Sequence, residues 1–187
     1  NDKPDFGIDG DGIVETFYTI SPLEYPMDKN YSEMDFEYLA NGGWGEKETA
    51  LWSTSWETFQ LKPWTKVNAF DTYKKSFQGW NTLVLQVFNN EIKYFINGEL
   101  YSEHGADVYP DVAMSINFNL WFIPEQVMAE KTMRQYHQEV DWVYFNANQK
   151  LSNDQVIETV AGLRAKGIKQ TDAIADWTPK HDSYCGL

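Results

Sequence analysis

The amino-acid sequence predicts an all-β sandwich or barrel followed by a short helical extension. Up to about residue 150, short runs rich in β-branched and aromatic residues alternate with turn-forming residues. That pattern is typical of antiparallel sandwiches and barrels. After this point the apolar residues recur at helical spacing instead. We therefore divide the chain into a β-domain, residues 1–150, and a helical C-terminal extension, residues 151–187, which we expect to pack on it.

The strands are predicted from alternation and from the turns that bound them. Residues 33–39 alternate acidic and apolar side chains, which is the period of a strand with two different faces. Asn97 and Gly98 form a two-residue hairpin signal between two such runs. In chain order, the predicted strands are residues 12–20, 33–39, 48–60, 82–88, 91–96, 99–101, 112–122 and 139–146.

A helix is predicted at the start of the extension. Ser152 and Gln155 have the spacing of a capping box, in which each side chain binds a backbone N–H of the other residue. Apolar residues then recur at helical spacing, and Gly167 is suited to end the helix. The predicted helix spans residues 153–166, and a weaker one is predicted near residues 170–176.

Composition and charge exclude several classes of function. The 187 residues carry 15 Lys plus Arg against 28 Asp plus Glu, a formal net charge of −13. Because phosphate binding needs a basic face, neither a nucleic acid nor an anionic membrane is an expected partner. No apolar run is long enough to span a bilayer. The single cysteine, Cys185, excludes an internal disulfide framework.

The first residues, Asn1 to Asp5, do not have the pattern of a signal peptide. Because the chain does not begin with Met, we expect processing or trimming at its start, of which removal of a signal peptide is one form. The expected location is extracellular or periplasmic.

Three carboxylates lie on one face of the second predicted strand. Glu33, Asp35 and Glu37 are two residues apart, so their side chains point to the same side. Crowded carboxylates repel each other, which raises at least one pKa. Acid–base catalysis uses such a pair, because it needs one ionised and one protonated carboxyl group at the same pH. The spacing alone is equally compatible with a solvated acidic stripe or a calcium site.

The aromatic content is high, with 8 Trp, 11 Tyr and 11 Phe residues. Aromatic residues are good strand formers, so a sheet core accounts for many of them. Others could line a groove and stack on flat ligands such as sugar rings. Composition does not choose between these two uses.

Five segments, in the same order along the chain, resemble glycoside hydrolase family 16, which includes bacterial lichenases and plant xyloglucan transglycosylases. The acidic strand resembles the family signature Glu-x-Asp-x-Glu. The resemblance implies a concanavalin A-like jelly-roll β-sandwich with a cleft on its concave sheet. The five segments are Gly12–Thr19, Ser32–Leu39, Glu91–Leu100, Asn119–Trp121 and Glu139–Tyr144.

The resemblance implies a role for each carboxylate. Glu33 would be the nucleophile, Glu37 the general acid/base, and Asp35 would hydrogen-bond to the nucleophile and tune it. The reaction would proceed by double displacement with retention of configuration. No cofactor would be required, although a structural calcium is possible.

Further residues are candidates for binding. Tyr18, Asn119 and Trp121 match cleft positions of the family, whereas Trp52 and Trp56 are chosen from strand parity alone. Each of these aromatic residues could equally belong to the core. Asp141 matches a position that helps to hold a structural calcium in the family, and an ordinary carboxylate at a strand end is the equal alternative.

The chain also departs from the family pattern. Family members carry additional strands before the segment that matches Gly12, so we expect these N-terminal strands to be missing here. The segment Trp80–Val87 lacks a His and a Trp of the family, and the loop after the acidic strand carries Trp44.

The sequence therefore predicts a retaining β-glycan hydrolase, endo-glucanase-like, whose partner is a β-linked polysaccharide or oligosaccharide. Two alternatives stay open. One is a non-catalytic carbohydrate-binding protein on the same fold. The other is an enzyme on this scaffold that acts on a non-polysaccharide small molecule.

Overall fold

A computed structural model of the chain describes residues 10–23, 30–129 and 133–171. The chain divides into two compact units, Asn1–Val143 and Tyr144–Leu187. The first unit contains the strands and the second contains the helix. The strands are β1 Ile13–Ile20, β2 Glu33–Leu39, β3 Ala50–Leu61, β4 Trp64–Tyr73, β5 Leu83–Phe88, β6 Glu91–Ile96, β7 Glu99–His104 and β8 Ser115–Phe122.

Two antiparallel sheets make up the first unit. The larger sheet has the strand order β4-β3-β2-β1-β8, and the smaller one has the order β5-β6-β7. The turn at Asn97 and Gly98 joins β6 to β7, and both residues have the positive φ angles that this tight hairpin requires. The predicted all-β sandwich with a C-terminal helix is confirmed.

The core lies between the inner faces of the two sheets. Strand β2 contributes Met34, Phe36 and Tyr38, which are all buried. Phe36 meets Tyr94 of β6 edge to face, with ring centroids 5.0 Å apart. Burying each such side chain contributes about 1.5–3 kcal/mol. Because side chains alternate along a strand, this packing directs the acidic residues of β2 to the opposite face.

A buried polar network ties the sheets together behind β2. The Tyr94 hydroxyl donates to the Thr54 carbonyl oxygen at 2.6 Å and lies 2.7 Å from Ser55 Oγ. Ser55 Oγ is also 2.8 Å from Nδ1 of His104. Burial lowers the pKa of His104 and raises that of Tyr94. The ring and the phenol are therefore both neutral at pH 7, and no charge is buried in this network.

Side-chain hydrogen bonds, rather than a strand ladder, hold residues 134–138. Buried Asp11 accepts hydrogen bonds from Arg134 Nη2 at 2.7 Å and from the Tyr136 hydroxyl at 2.9 Å. The Arg134 hydrogen bond is the main reason why the pKa of Asp11 falls to about 2. Gln138 Nε2 donates to the Thr16 carbonyl oxygen at 2.9 Å.

The prediction of a strand at residues 139–146 is wrong, because the structure assigns no strand there. The segment crosses the boundary between the two units, and its apolar side chains at Val140, Val143 and Phe145 are exposed. Strand-forming residues need a neighbouring strand to pair with, and local propensity does not supply one.

Strand β4 was not predicted. It is an edge strand whose Lys66, Asn68 and Asp71 dilute the apolar pattern. The predicted second helix near residues 170–176 lies almost entirely outside the described residues.

The second unit contains the predicted helix, which spans Asn153–Ala165. The capping box is present: Ser152 Oγ accepts from the Gln155 N–H at 3.2 Å, and Gln155 Oε1 accepts from the Ser152 N–H at 2.8 Å. Gly167, with a φ of 68°, ends the helix by donating its N–H to the Arg164 carbonyl oxygen. Within the described residues, no helix has the length and apolar character needed to cross a membrane.

Replacing Tyr94 with Phe tests the role of the buried network. The variant removes the hydrogen bond to the Thr54 carbonyl oxygen and leaves Ser55 Oγ with His104 alone, so we expect the free energy of unfolding to fall by about 1–3 kcal/mol. Urea titration followed by circular dichroism measures this change. Tyr101→Phe is the control, because the Tyr101 hydroxyl only accepts an exposed hydrogen bond from Lys75. Equal stabilities for the two variants would contradict the assignment.

Candidate active site

The three carboxylates form a column on the outer face of the larger sheet. Strand β2 lies at the centre of this sheet, with β1 and β3 as its neighbours. Residues opposite each other in the antiparallel ladder point to the same side, so the register identifies the surroundings of each carboxylate. Glu33 lies between Ile20 and Trp56, Asp35 between Tyr18 and Thr54, and Glu37 between Thr16 and Trp52.

Burial changes the proton affinity of all three carboxyl groups. Burial raises the pKa of Glu33 to about 7, although a hydrogen bond with Asp35 opposes part of this shift. The pKa of Glu37 rises to about 8, first through burial and then through the negative charge of Glu33. Burial also raises the pKa of Asp35 well above its usual range, and the charges of both glutamates add to the effect.

The order of these pKa values separates two chemical roles. Between about pH 7 and pH 8, Glu33 is mainly ionised while Glu37 still carries its proton. Burial and the charges of both glutamates raise the pKa of Asp35, the most buried of the three, which favours its protonated form as a hydrogen-bond donor to Glu33. The site therefore holds a carboxylate that can act as a nucleophile or base beside a carboxyl group that can act as an acid.

Neighbouring polar groups fix the column in place. Trp56 Nε1 donates to Asp35 Oδ2 at 3.2 Å. On the other side, Asn119 Nδ2 donates to the Tyr18 hydroxyl at 2.8 Å. The pKa of Tyr18 is raised by burial and then by the charges of Glu33 and Asp35, as expected for a phenol close to both carboxylates.

The structure brings most of the candidate binding residues to the carboxylates. Tyr18, Trp52 and Trp56 are direct cross-strand neighbours of the column, and Asn119 is opposite Thr16 in the next strand. Trp121 is more distant: it lies on the edge strand β8, opposite Val14.

Asp141 is the residue that the sequence offers as a calcium ligand. It lies in the stretch predicted to be a strand, which the structure does not assign as one. Among the described residues, no group of three or more His, Cys, Asp or Glu side chains is arranged to hold a metal ion. The structural calcium stays a prediction.

Two aromatic residues at the site were not selected from the sequence. Phe70 of β4 is opposite Thr54, and Trp44 lies in the loop after β2 with its ring centroid 5.9 Å from that of Trp52. Strand parity could not select Phe70, because β4 itself was not predicted. A residue in a loop such as Trp44 has no periodic pattern from which its direction could be read.

A cavity of about 470 Å³ lies apart from the carboxylates. It is lined by residues 10, 12, 41–43, 45–47 and 125–128, and none of the three acidic residues contributes to it. The chemistry of the carboxylate column, and not the cavity volume, therefore identifies the candidate site.

Comparison with known proteins gives no family assignment: no protein-family model matches the chain, and no curated protein matches it. The resemblance to glycoside hydrolase family 16 therefore stays a prediction. Of its five segments, three lie on β1, β2 and β8, one forms the β6–β7 hairpin, and Glu139–Tyr144 is not a strand.

The raised pKa of Glu37 predicts a pH-dependent cost to stability. Between the unfolded pKa, about 4.3, and the folded pKa, the folded protein binds more protons than the unfolded chain, so its stability falls as pH rises. As the pH is raised from about 5 to about 8, we expect the free energy of unfolding of Glu37→Gln to increase relative to that of the wild type by on the order of 2 kcal/mol. Thermal unfolding of both proteins at the two pH values measures this difference.

Glu99→Gln, at an exposed position on β7, is the matched control for loss of one negative charge. A Glu37→Gln variant with the same relative stability at both pH values would refute the assigned burial of Glu37.

Proposed function

We propose that this protein is a retaining β-glycan hydrolase, endo-glucanase-like in its action. The observation that carries the proposal is the column of Glu33, Asp35 and Glu37 on the outer face of β2, with raised pKa values and with Trp52 and Trp56 beside it. Solvated acidic stripes leave their carboxylates in water, whereas these carboxylates are largely removed from it.

The proposed reaction has two steps. In the first, a Glu33 oxygen attacks the anomeric carbon and the bond to the leaving oxygen breaks, while Glu37 gives its proton to that oxygen. The product is a glycosyl ester on Glu33, and Glu37 is left ionised. In the second, Glu37 takes a proton from water, whose oxygen attacks the anomeric carbon and releases Glu33. Configuration is retained because the carbon is inverted twice.

Asp35 acts on the nucleophile in this scheme. Protonated Asp35 can donate a hydrogen bond to Glu33, which disperses the negative charge of the nucleophile before attack and helps it to leave in the second step. Trp56 holds Asp35 in position through the bond to Oδ2. All of these steps use side chains of the chain itself, so the proposal requires no cofactor.

The surrounding side chains favour a sugar as the substrate. Indole faces stack on the C–H faces of pyranose rings, and Asn119 and Tyr18 offer hydrogen-bonding groups to hydroxyls. Because the proposed substrate is a polymer, we place the protein outside the cell or in the periplasm. A carbohydrate-binding protein without catalysis would use the same aromatic residues, but it has no need of three crowded carboxylates.

Substitution of the two glutamates tests the proposal directly. Reducing sugar release is measured on β-1,3-1,4-glucan, laminarin, xyloglucan, agarose and carrageenan. We expect turnover on at least one, and a loss of about 10³-fold or more in Glu33→Gln and in Glu37→Gln. Azide should rescue Glu33→Gly and give an α-glycosyl azide, because only one displacement remains. A folded protein that binds a glycan without cleaving it would instead be a carbohydrate-binding protein.

The pKa values predict the pH profile of the reaction. The logarithm of kcat/KM should rise through about pH 7 as Glu33 ionises and fall through about pH 8 as Glu37 loses its proton. An aryl glycoside with a good leaving group needs no acid, so with this substrate Glu37→Gln should lose the falling limb and keep the rising one. A falling limb that persists in Glu37→Gln would assign the acid to another group.

A further inference from the structure

Trp44 occupies a position in a tight turn where a tryptophan is unfavourable. Gly43 and Glu46 exchange two backbone hydrogen bonds, 3.0 and 2.9 Å long, across a two-residue turn. Its central residues have φ angles of 50° at Trp44 and 92° at Gly45, the values of a type I′ turn. Asn, Asp and Gly are the residues that suit these positions. A bulky side chain there is strained, so its contacts must offset the cost.

Contacts with neighbouring residues hold the backbone of this turn in place. Gly43 leaves no room for a side chain, because a Cβ atom there would lie 2.7 Å from both Ile123 Cδ1 and Leu39 Cδ2. Both of these neighbours are buried. Glu46 at the end of the turn also pairs with Lys74 at 2.6 Å. Trp44 is therefore presented from a fixed backbone.

Trp44 joins two groups of aromatic rings that would otherwise be separate. Its ring lies 5.9 Å from Trp52 on one side and 5.9 Å from Trp121 on the other. Trp52 and Trp121 belong to β3 and β8, which β2 and β1 separate. Three strand spacings amount to about 14 Å, too far for direct ring contact. Trp52 in turn contacts Phe70 at 5.1 Å.

These four residues form an aromatic row, Phe70–Trp52–Trp44–Trp121, that crosses the sheet beside Glu37. Three of its members keep a large exposed fraction, 51% for Phe70, 38% for Trp44 and 36% for Trp121, and Trp52 is partly buried against Val14, Leu39 and Ile123.

We propose that Trp44 is a substrate-binding residue that makes this row a platform for several consecutive sugar units of a β-linked glucan chain. The inference rests on the proposed function and adds a binding residue and a minimum substrate length: a chain long enough to cross the row. A β-linked glucose ring has equatorial substituents, so both of its faces are flat and carry C–H groups that stack on indoles. A short ligand at the carboxylates would leave Trp121 unused, since that residue lies at the far edge of the sheet.

Trp44→Asn is the variant that separates binding from folding. Asn fits the first central position of a type I′ turn better than Trp does, so the turn should be kept while the ring is lost. We expect unchanged or higher stability. The matched control is Trp80→Asn, which removes a 67% exposed tryptophan outside the row. Trp44→Gly also suits the turn, and Trp44→Phe keeps a smaller ring there.

The experiment measures binding and cleavage of β-glucan oligosaccharides by their length. Affinities for cellohexaose, laminarihexaose and a mixed-linkage hexasaccharide, and for the matching disaccharides, are determined by calorimetry in a Glu33→Gln background. Trp44→Asn should weaken hexasaccharide binding about tenfold, with little effect on disaccharides, and Trp44→Phe should lose less. Hydrolysis of hexasaccharides by the otherwise unsubstituted chain should fall in parallel.

Equal hexasaccharide affinity in Trp44→Asn and Trp80→Asn, with a glycan still cleaved, would overturn the role of Trp44 and leave the proposed function intact. Failure of the Trp80→Asn control and the unsubstituted protein to bind or cleave any of these glucans would overturn the glucan platform itself. If the unsubstituted protein binds no glucan but cleaves agarose or carrageenan, the glucan platform is wrong and the proposed glycosidase function is retained. If Trp44→Asn does not fold, Trp44→Gly and Trp44→Phe give the same comparison.

Discussion

The alternation of β2 is the constraint on which the rest of the structure depends. One strand has to bury Met34, Phe36 and Tyr38 against the smaller sheet, and this fixes the register of its carboxylates on the other face. A slip of one residue would place three acidic groups in the core and three apolar groups outside. The hydrophobic free energy of the core thus holds the candidate site together. The buried Tyr94 network supports the neighbouring strand β3 from the core side.

Burying three carboxyl groups lowers the stability of the folded protein, and it also produces the raised pKa values that acid–base catalysis needs. Burial raises the pKa of all three groups, and the negative charge of Glu33 raises the pKa of Glu37 further. Because the raised pKa of Glu37 keeps a proton on the folded protein near neutral pH, the fold gives up part of its stability there. The turn at Trp44 likewise combines a strained backbone angle with an exposed ring.

Patterns that depend on local alternation were readable from the sequence, and patterns that depend on distant neighbours were not. The period of β2 predicted both its core face and its acidic face, and the capping box at Ser152 predicted the helix start. Strand β4 was missed because an edge strand keeps polar residues on both faces, and residues 139–146 were assigned wrongly because no strand pairs with them. Trp44 could be recognised only from its backbone angle and its ring contacts.

The central claim is that Glu33 forms a covalent bond with a sugar. The most direct measurement is mass spectrometry of the protein after incubation with a β-gluco-oligosaccharide that carries a 2-deoxy-2-fluoro group on its reducing-end sugar and an activated leaving group, since fluorine slows release of a glycosyl-enzyme more than its formation. We expect a mass increase of one fluorinated oligosaccharyl group, located on Glu33 by peptide mapping and absent in Glu33→Gln. A glycan cleaved with retention while the label is found on another residue would contradict it.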